Sequence, residues 1–555
     1  MNVQITNEEL RKLLVKNQLL DELRFADINK FSHDSGLTLV ESLVEKNIIT
    51  ETLLGELMAK SLKLSFITLT KVVIPEKVFR LIPERIAKKY KIIAFSYDKE
   101  GIRVGMADPQ NEELIAMLAK KTGKKIIPYL ATVKDIERTF QIYKKDLQFA
   151  IDEFVRLHHD EIPTTDVVNL LINYAIQDSA SDIHIEPREN NLIVRFRLDG
   201  ILHNMLKLPK NIHDQIVSRI KVMSKLQTDD HINPQDGKLR YEFEGGYIDI
   251  RVSTINTVDG EKVVLRLLPA RSQLFSFANL GLSNHDLKKL KKVLDKSYGM
   301  ILASGPTGSG KTTTIYTILK MLNSTEKNIT TIEDPVEYKI KGINQIQTKS
   351  SIRFTFAKGL RSILRQDPDV IFVGEIRDIE TANIAVNAAL TGHVVLSTLH
   401  TNDASTALLR LIDMEVEPFL VASTVNIIIA QRLIRKACEQ CKKPFIMPRK
   451  KISADIDPKL INRYFGKSSQ ITTYKGEGCK LCNNTGYFGR IGFFEILEVS
   501  KSIRKLIVDK ADSDVIKKQA ISEGMTTMLE DGLNKVKQGL TTMEEVIRVT
   551  KSETS

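Results

Sequence analysis

The chain has 555 residues, several times a domain length of roughly 100–200 residues, so one core cannot hold it and about three or four domains are expected. Hydrophobic residues make up 42% and charged residues 27%, which excludes wholesale disorder. The formal net charge is +12, but the lysines are scattered, tryptophan is absent and aromatics reach only 6%, which argues against a nucleic-acid surface.

The leading segment MNVQITNEELRKLL has acidic residues close behind the methionine and no apolar centre, so it does not read as a secretory signal. The most apolar stretch, 421–430, is shorter than the roughly 18 residues of a spanning helix and is broken by Ser423 and Asn426. The expectation is a cytoplasmic chain whose membrane association goes through partners.

From Asn7 to about Phe66 apolar residues recur at helical spacing, as in Leu10, Leu13, Leu14 and again Leu39, Leu43, Val44, predicting a small helical unit. Within it, LLVKNQLL at 13–20 and SLVEKNII at 42–49 are either a degenerate repeat or a chance amphipathic likeness. Over 67–140 prolines 75, 83, 109 and 128 punctuate short apolar runs such as KIIAF and GIRVGMA, the texture of a compact α/β unit. The charged stretch 143–163 reads as an interdomain helix or linker, which puts a boundary near 150.

Between 180 and 270 alternation takes over. Leu192, Val194, Phe196 and Leu198 face one way and Ile193, Arg195 and Arg197 the other, ending at an Asp199-Gly200 turn. A second hairpin joins YIDIRVS to EKVVLRLL through Asp259-Gly260, so this region is an α+β domain dominated by an antiparallel sheet. With that turn Ser253 pairs with Arg266, and Arg251 lies diagonal to Arg266 on the same polar face. Two arginines so placed want an anion, unless each is taken up in a surface ion pair.

From about 297 short continuous apolar runs alternate with helical spacing, the pattern of a buried parallel sheet. The run 300–303 leads into Gly305-Pro306-Thr307-Gly308-Ser309-Gly310-Lys311-Thr312-Thr313, followed by Ile315, Ile318, Leu319 and Leu322. Glycines without side chains let backbone N–H groups wrap phosphates at a helix N-terminus. Lys311 is then the contact to the β- and γ-phosphates of ATP, and Thr312 the ligand of Mg²⁺. A second run, 370–373, ends in Gly374-Glu375-Ile376-Arg377-Asp378, bringing an acid beside the magnesium. The usual aspartate directly after such a run is replaced here by Gly374.

Together these segments resemble the type II/IV secretion system ATPases of the pilus-assembly and type II secretion kind (PilB/GspE-like), in which Gly-Glu closes that strand. TIEDPVEY at 331–338 is similar to the family's Asp box, TGHVVLSTLHTND at 391–403 to its His box, and ASDIHIEP at 180–187 to its second N-terminal domain. The resemblance implies a RecA-like α/β P-loop motor domain with a parallel sheet over 276–555. Before it would stand an α+β, PAS-like domain over 149–275 and a leading domain over 1–148, helical to 66 and α/β from 67. It further implies a homohexameric, ATP-hydrolysing motor at the inner face of the cell membrane. Such a motor drives type IV pilus assembly through an inner-membrane platform protein and a cytoplasmic adaptor; a type II secretion pseudopilus is the alternative and a nucleic-acid translocase a remoter one.

Carried over by position, the Asp box gives Glu333 the task of orienting or activating the attacking water, beside Glu375 at the magnesium. His393 and His400 close the two ends of one strand, with His400 placed to sense the γ-phosphate, and Arg377 joins the nucleotide set. Arg361 and Arg365, at i and i+4, share a helix face and would contact phosphate or a subunit interface. Arg251 and Arg266 would reach a neighbouring subunit's nucleotide.

All four cysteines fall in Cys438-Glu-Gln-Cys441 and Cys479-Lys-Leu-Cys482. Two such hooks make a closed, four-thiolate zinc site, although the spacing between them exceeds the usual 15–20 residues or so. The family's assembly ATPases carry such an insertion, here 438–482, which favours zinc over a redox dithiol. Some relatives bind cyclic di-GMP through a leading-domain motif. Leu39, Leu43, Leu54 and Met58 keep its apolar positions, but Thr38, Val40, Asn47 and Ser61 stand where Arg, Gly, Gly and Gln belong, so tight cyclic di-GMP binding is not expected.

Overall fold

A computed structural model describes residues 7–551 apart from 18, 36–37, 47, 144–146, 150, 152–162, 244–245, 270–276 and 350–351. It divides into two compact units, one of residues 1–73, 98–133 and 273–555 and the other of 74–97 and 134–272. Most of the proposed linker, the boundary between 275 and 276, and Asn47 lie outside the described residues.

The first unit is organised by a seven-stranded sheet. Its strands are β1 (Gly299–Ser304), β2 (Ile329–Glu333), β3 (Asn344–Gln347), β4 (Val370–Val373), β5 (Val394–Leu399), β6 (Val425–Ala437) and β7 (Tyr487–Glu498). They run in the order β3-β2-β4-β5-β1-β6-β7, parallel except for the antiparallel β6–β7 pair. Two apolar clusters cover the faces, one around Ile371, Val395 and Ile428, the other around Ile301, Ile315 and Phe372. Burial on both faces is why the centre of β1 and the whole of β4 read as unbroken apolar runs. The order places β5 between the phosphate-loop strand and the Gly374-Glu375 strand. The loops after β1, β2, β4 and β5 therefore open at the C-terminal edge of the sheet, where parallel α/β sheets bind ligands.

Beyond β7 the helices Lys501–Val508, Ser513–Ser522, Met528–Lys537 and Met543–Lys551 close the chain. The Asp531–Lys535 ion pair is buried among them, and Asp531 also accepts the Phe494 amide of β7 at 2.8 Å. Between β6 and β7 a ribbon pairs Lys442–Pro448 with Gln470–Gly476 and carries both cysteine hooks at one end, one before Lys442 and one after its partner Gly476. In the leading part, helices Asn7–Lys16, Glu22–Ser35, Leu39–Glu45 and Glu51–Ser61 bury Leu10, Leu14, Leu39, Leu43, Leu54 and Met58 together, as the spacing predicts. Strands 101–106, 126–130 and 65–66 then pair in parallel, so 67–140 is α/β.

The second unit holds a six-stranded antiparallel sheet ordered Ile201–Pro209, Asn191–Leu198, Asp182–Pro187, Gly260–Pro269, Gly246–Thr257, Gln235–Phe243. Leu192, Val194, Phe196 and Leu198 alternate inward, and Asp199-Gly200 forms the first turn with φ of 48° and 89°, as a two-residue hairpin of this twist demands. The second hairpin departs from expectation. Thr257 pairs with Gly260, so the turn is Val258-Asp259 and Gly260 opens the return strand. Arg251 consequently stands directly opposite Arg266 rather than diagonal to it.

A candidate nucleotide site and a four-cysteine cluster

The loop after β1 takes its shape from three glycines with positive φ, Gly305 at 144°, Gly308 at 79° and Gly310 at 90°. At Gly305 a side chain would meet the Gln431 carbonyl at 2.5 Å, so strand β6 presses on the loop too closely for any other residue. Gln431 itself donates from Nε2 to the Ser309 carbonyl at 2.8 Å and holds the loop to β6. Helix Lys311–Leu322 begins on Gly310. The Lys311 ammonium turns back over the loop, donating to the carbonyls of Gly305 (2.6 Å) and Pro306 (3.1 Å). Burial pulls its pKa down to about 8, against the opposing pull of Glu375 and with the repulsion of Arg432. A cation this close to losing its proton is one that an anion at the loop would stabilise.

At the end of β4, Gly374 donates to the Ile332 carbonyl at 2.8 Å, and a side chain on it would press on the Glu333 backbone at 3.3 Å. Tight contact between β2 and β4 thus accounts for glycine where an aspartate usually stands. Ser397 and Thr398 of β5 donate to the carbonyls of Val373 and Gly374, both at 2.8 Å, and fix the turn. Glu375 emerges from it only 12% exposed, paired with Arg377 at 2.6 Å and His400 Nε2 at 3.3 Å. Desolvation and nearby Lys311 lower the His400 pKa, while Glu375 raises it. Lys311, Glu375, Arg377 and His400 therefore form one cluster at the sheet edge.

Glu333, at the end of β2, is 3% exposed. It accepts hydrogen bonds from Tyr316, from Thr331 at 2.5 Å and from Gln345 at 3.2 Å. Its pKa is raised, mainly by burial, with the three donors acting against the rise.

Other expected residues are placed elsewhere. His393 precedes β5, at the end opposite His400, and its Nδ1 meets the Ala388 carbonyl at 2.9 Å. It caps the helix Ile379–Leu390 at the sheet edge opposite the phosphate loop. Arg361 pairs with Glu380 at 2.6 Å, and Arg365 donates to the Arg361 carbonyl at 2.9 Å and to Ser362 at 3.2 Å. Arg361 thus contacts the next helix and Arg365 the helix that it follows. Arg266 is engaged as well, by Asp182 at 2.9 Å, a carboxylate that Arg197 also approaches at 3.3 Å. Sequence reading missed Gln431 and Arg432. The available signal was a polar pair inside an apolar run, in a strand whose first eight residues are all buried.

The four cysteine sulfurs all lie within 4.8 Å of one another. Cys438–Cys479 and Cys441–Cys482 are 3.8 Å apart and Cys479–Cys482 3.7 Å. Those are the edges of a tetrahedron around an ion with metal–sulfur bonds of about 2.3 Å, and far too long for disulfides. Backbone amides of Gly478 and Cys479 point at Cys441 and Cys482 sulfurs (3.3 and 3.1 Å), as they do toward thiolates. The donor set fits a four-coordinate structural metal. Between the first two cysteines, Gln440 donates to the Val72 carbonyl of the leading part at 2.7 Å.

A parallel sheet with β5 between the phosphate-loop strand and the acid-bearing strand, and a glycine loop feeding a helix, defines a RecA-like P-loop ATPase. A family model described as "Type II/IV secretion system protein" matches residues 158–548, and one described as "MshEN domain" matches 62–148. The type IV pilus assembly ATPase PilB of Myxococcus xanthus is 37% identical over 97% of this chain and 98% of its own. Type II secretion system ATPase E of Vibrio cholerae is 44% identical over 71% of this chain and 76% of its own. The X-ray structure of the Legionella pneumophila ATPase DotB shares the fold, with a TM-score of 0.52 and 19% identity over 70% of this chain and 95% of that one. The chain belongs to the type II/IV secretion system ATPase family and is an ATP-hydrolysing enzyme.

Proposed function

We propose that this chain is the motor of type IV pilus assembly. The supporting observation is the end-to-end match to a pilus assembly ATPase, leading part included, whereas the type II secretion relative matches only 71% of the chain. The working form is a homohexamer on the cytoplasmic side of the inner membrane, engaging a membrane platform protein and an adaptor. Among the described residues no helix is long and apolar enough to cross a membrane, in keeping with attachment through partners. Its domains divide at about 148 and 275. Deleting the gene in its native host is expected to remove surface pili and leave secreted proteins unchanged. Lost secretion with intact pili would assign the motor to a pseudopilus instead.

In the reaction, Lys311 and the loop amides hold the β- and γ-phosphates, and Glu333 takes a proton from the attacking water. His400 and Arg377 fix Glu375 at the phosphate edge. Thr312 and Glu375 would hold Mg²⁺, which neutralises phosphate charge when bound. Arg251 and Arg266 act on a neighbour's nucleotide, Arg266 by exchanging Asp182 for phosphate. The cysteine cluster would hold Zn²⁺ as a staple that closes the ribbon.

Anaerobically purified protein is expected to contain close to one zinc per chain. Cys482→Ser should lose the metal and lower the unfolding midpoint by about 5 °C or more, while leaving hydrolysis at low temperature largely intact. Metal analysis finding no zinc in such preparations would refute the assignment.

A further inference from the structure

Tyr316 lies five residues after Lys311 on the phosphate-loop helix, and its side chain is fully buried. Its ring stands edge-on to Tyr338 at 4.7 Å and to Phe372 at 6.3 Å. A phenol this deep must spend its proton on a partner. The partner is Oε2 of Glu333. The same hydroxyl oxygen faces the Glu337 amide and Gln345 Nε2, each at 3.4 Å. On the other carboxylate oxygen, Oε1, converge Thr331 Oγ1 at 2.5 Å and Gln345 Nε2 at 3.2 Å. Both oxygens are thus engaged, and the carboxylate plane is fixed by donors from the helix, from β2 and from β3.

We infer that Tyr316 is a positioning residue, which sets the Glu333 carboxylate, relative to the helix that carries Lys311, in the orientation from which it accepts a proton of the attacking water. The inference rests on the reading of Glu333 as the base. In that step a water O–H bond breaks and its oxygen bonds the γ-phosphorus. The bond from that phosphorus to the bridging oxygen breaks with its electron pair leaving on ADP, and the proton goes to Glu333. Because Lys311 and Tyr316 ride on one rigid helix, the same element sets the phosphate clamp and the base.

The charged and titratable groups around Glu333 are few. Tyr316 comes from the helix, and Glu337 and Tyr338 come from the segment after β2. Lys320 lies one turn further along the helix, against the Tyr338 ring at 5.5 Å. Burial and Glu337 disfavour the ionised carboxylate, and the Tyr316 hydroxyl favours it. Losing that donor moves the acid limb of turnover to higher pH, since the base must be ionised to act.

Tyr316→Phe keeps the ring and removes only the hydroxyl. The expected result is a KM for ATP within about twofold of wild type and an acid limb of kcat raised by about one pH unit, the size of one hydrogen bond to a charged group. On that limb kcat should be about tenfold lower. A packing role would be served by phenylalanine and would leave the limb in place. Glu333→Gln, measured in parallel, should lose turnover while binding ATP. If Glu333→Gln turns over like wild type, the base assignment falls and the inference with it. If it is inactive and the Tyr316→Phe limb does not move, whether or not kcat and KM change together, the role of Tyr316 alone is overturned.

Discussion

Lys311→Ala is expected to abolish ATP hydrolysis without unfolding the chain, with turnover at least 100-fold down, on the order of what a lost charge clamp costs in phosphoryl transfer. Lys311 is 8% exposed and its hydrogen bonds go to the carbonyls of its own loop, so its removal breaks hydrogen bonds within that loop. The loss should therefore fall on phosphate binding and on the transition state rather than on stability. Steady-state hydrolysis beside a thermal melt separates the two, and normal turnover would sink the motor assignment. The same variant tests the arginines of the second unit. Mixed with Arg251→Ala, it should recover activity in mixed rings, because one interface can then pair an intact loop with an intact arginine from the neighbour. Parental background activity in proven mixed rings would return Arg251 and Arg266 to structural duty within their sheet.

Glu375→Gln should bind ATP nearly as well as wild type and hydrolyse it about 100-fold more slowly. The carboxylate stands between Arg377 and His400 at the sheet edge, within reach of the charge of Lys311. Amide in place of carboxylate leaves the glycine cradle intact and removes the negative charge that holds cations there. Nucleotide titration and single-turnover hydrolysis distinguish these effects. Equal losses of binding and turnover would show that Glu375 belongs to the cradle and not to the chemistry.

Much of this molecule was legible from residue pattern. The parallel sheet announced itself because strands buried on both faces, such as 370–373, favour apolar residues, and the first hairpin because Asp199-Gly200 suits the positive φ of a two-residue turn. The second hairpin misled because Asp259-Gly260 is equally a turn signal. The chain instead turns at Val258-Asp259 and uses Gly260 as a strand residue packed against His213. Partners distant in sequence were beyond local reading. Glu380 claims Arg361 and Asp182 claims Arg266 across separations that only tertiary structure closes. His393 matches a motif as well as His400 does, but the direction of β5 puts the two at opposite edges of the sheet. Gln431 and Tyr316 were hidden for a simpler reason, since each looks like a break or a filler in an apolar pattern.

Strand β6 is continuous from Val425 to Ala437. It passes beneath the phosphate loop at Gln431 and reaches Cys438 one residue after its end, two residues before the glutamine that holds the Val72 carbonyl. A β-strand hardly stretches, so the seven residue steps from Gln431 to Cys438 act as a tie-rod of about 23 Å. Displacement at the loop end cannot be absorbed along the rod. It must tilt the whole strand or be taken up at the register irregularity between Arg435 and Ala437, just short of the cysteine corner.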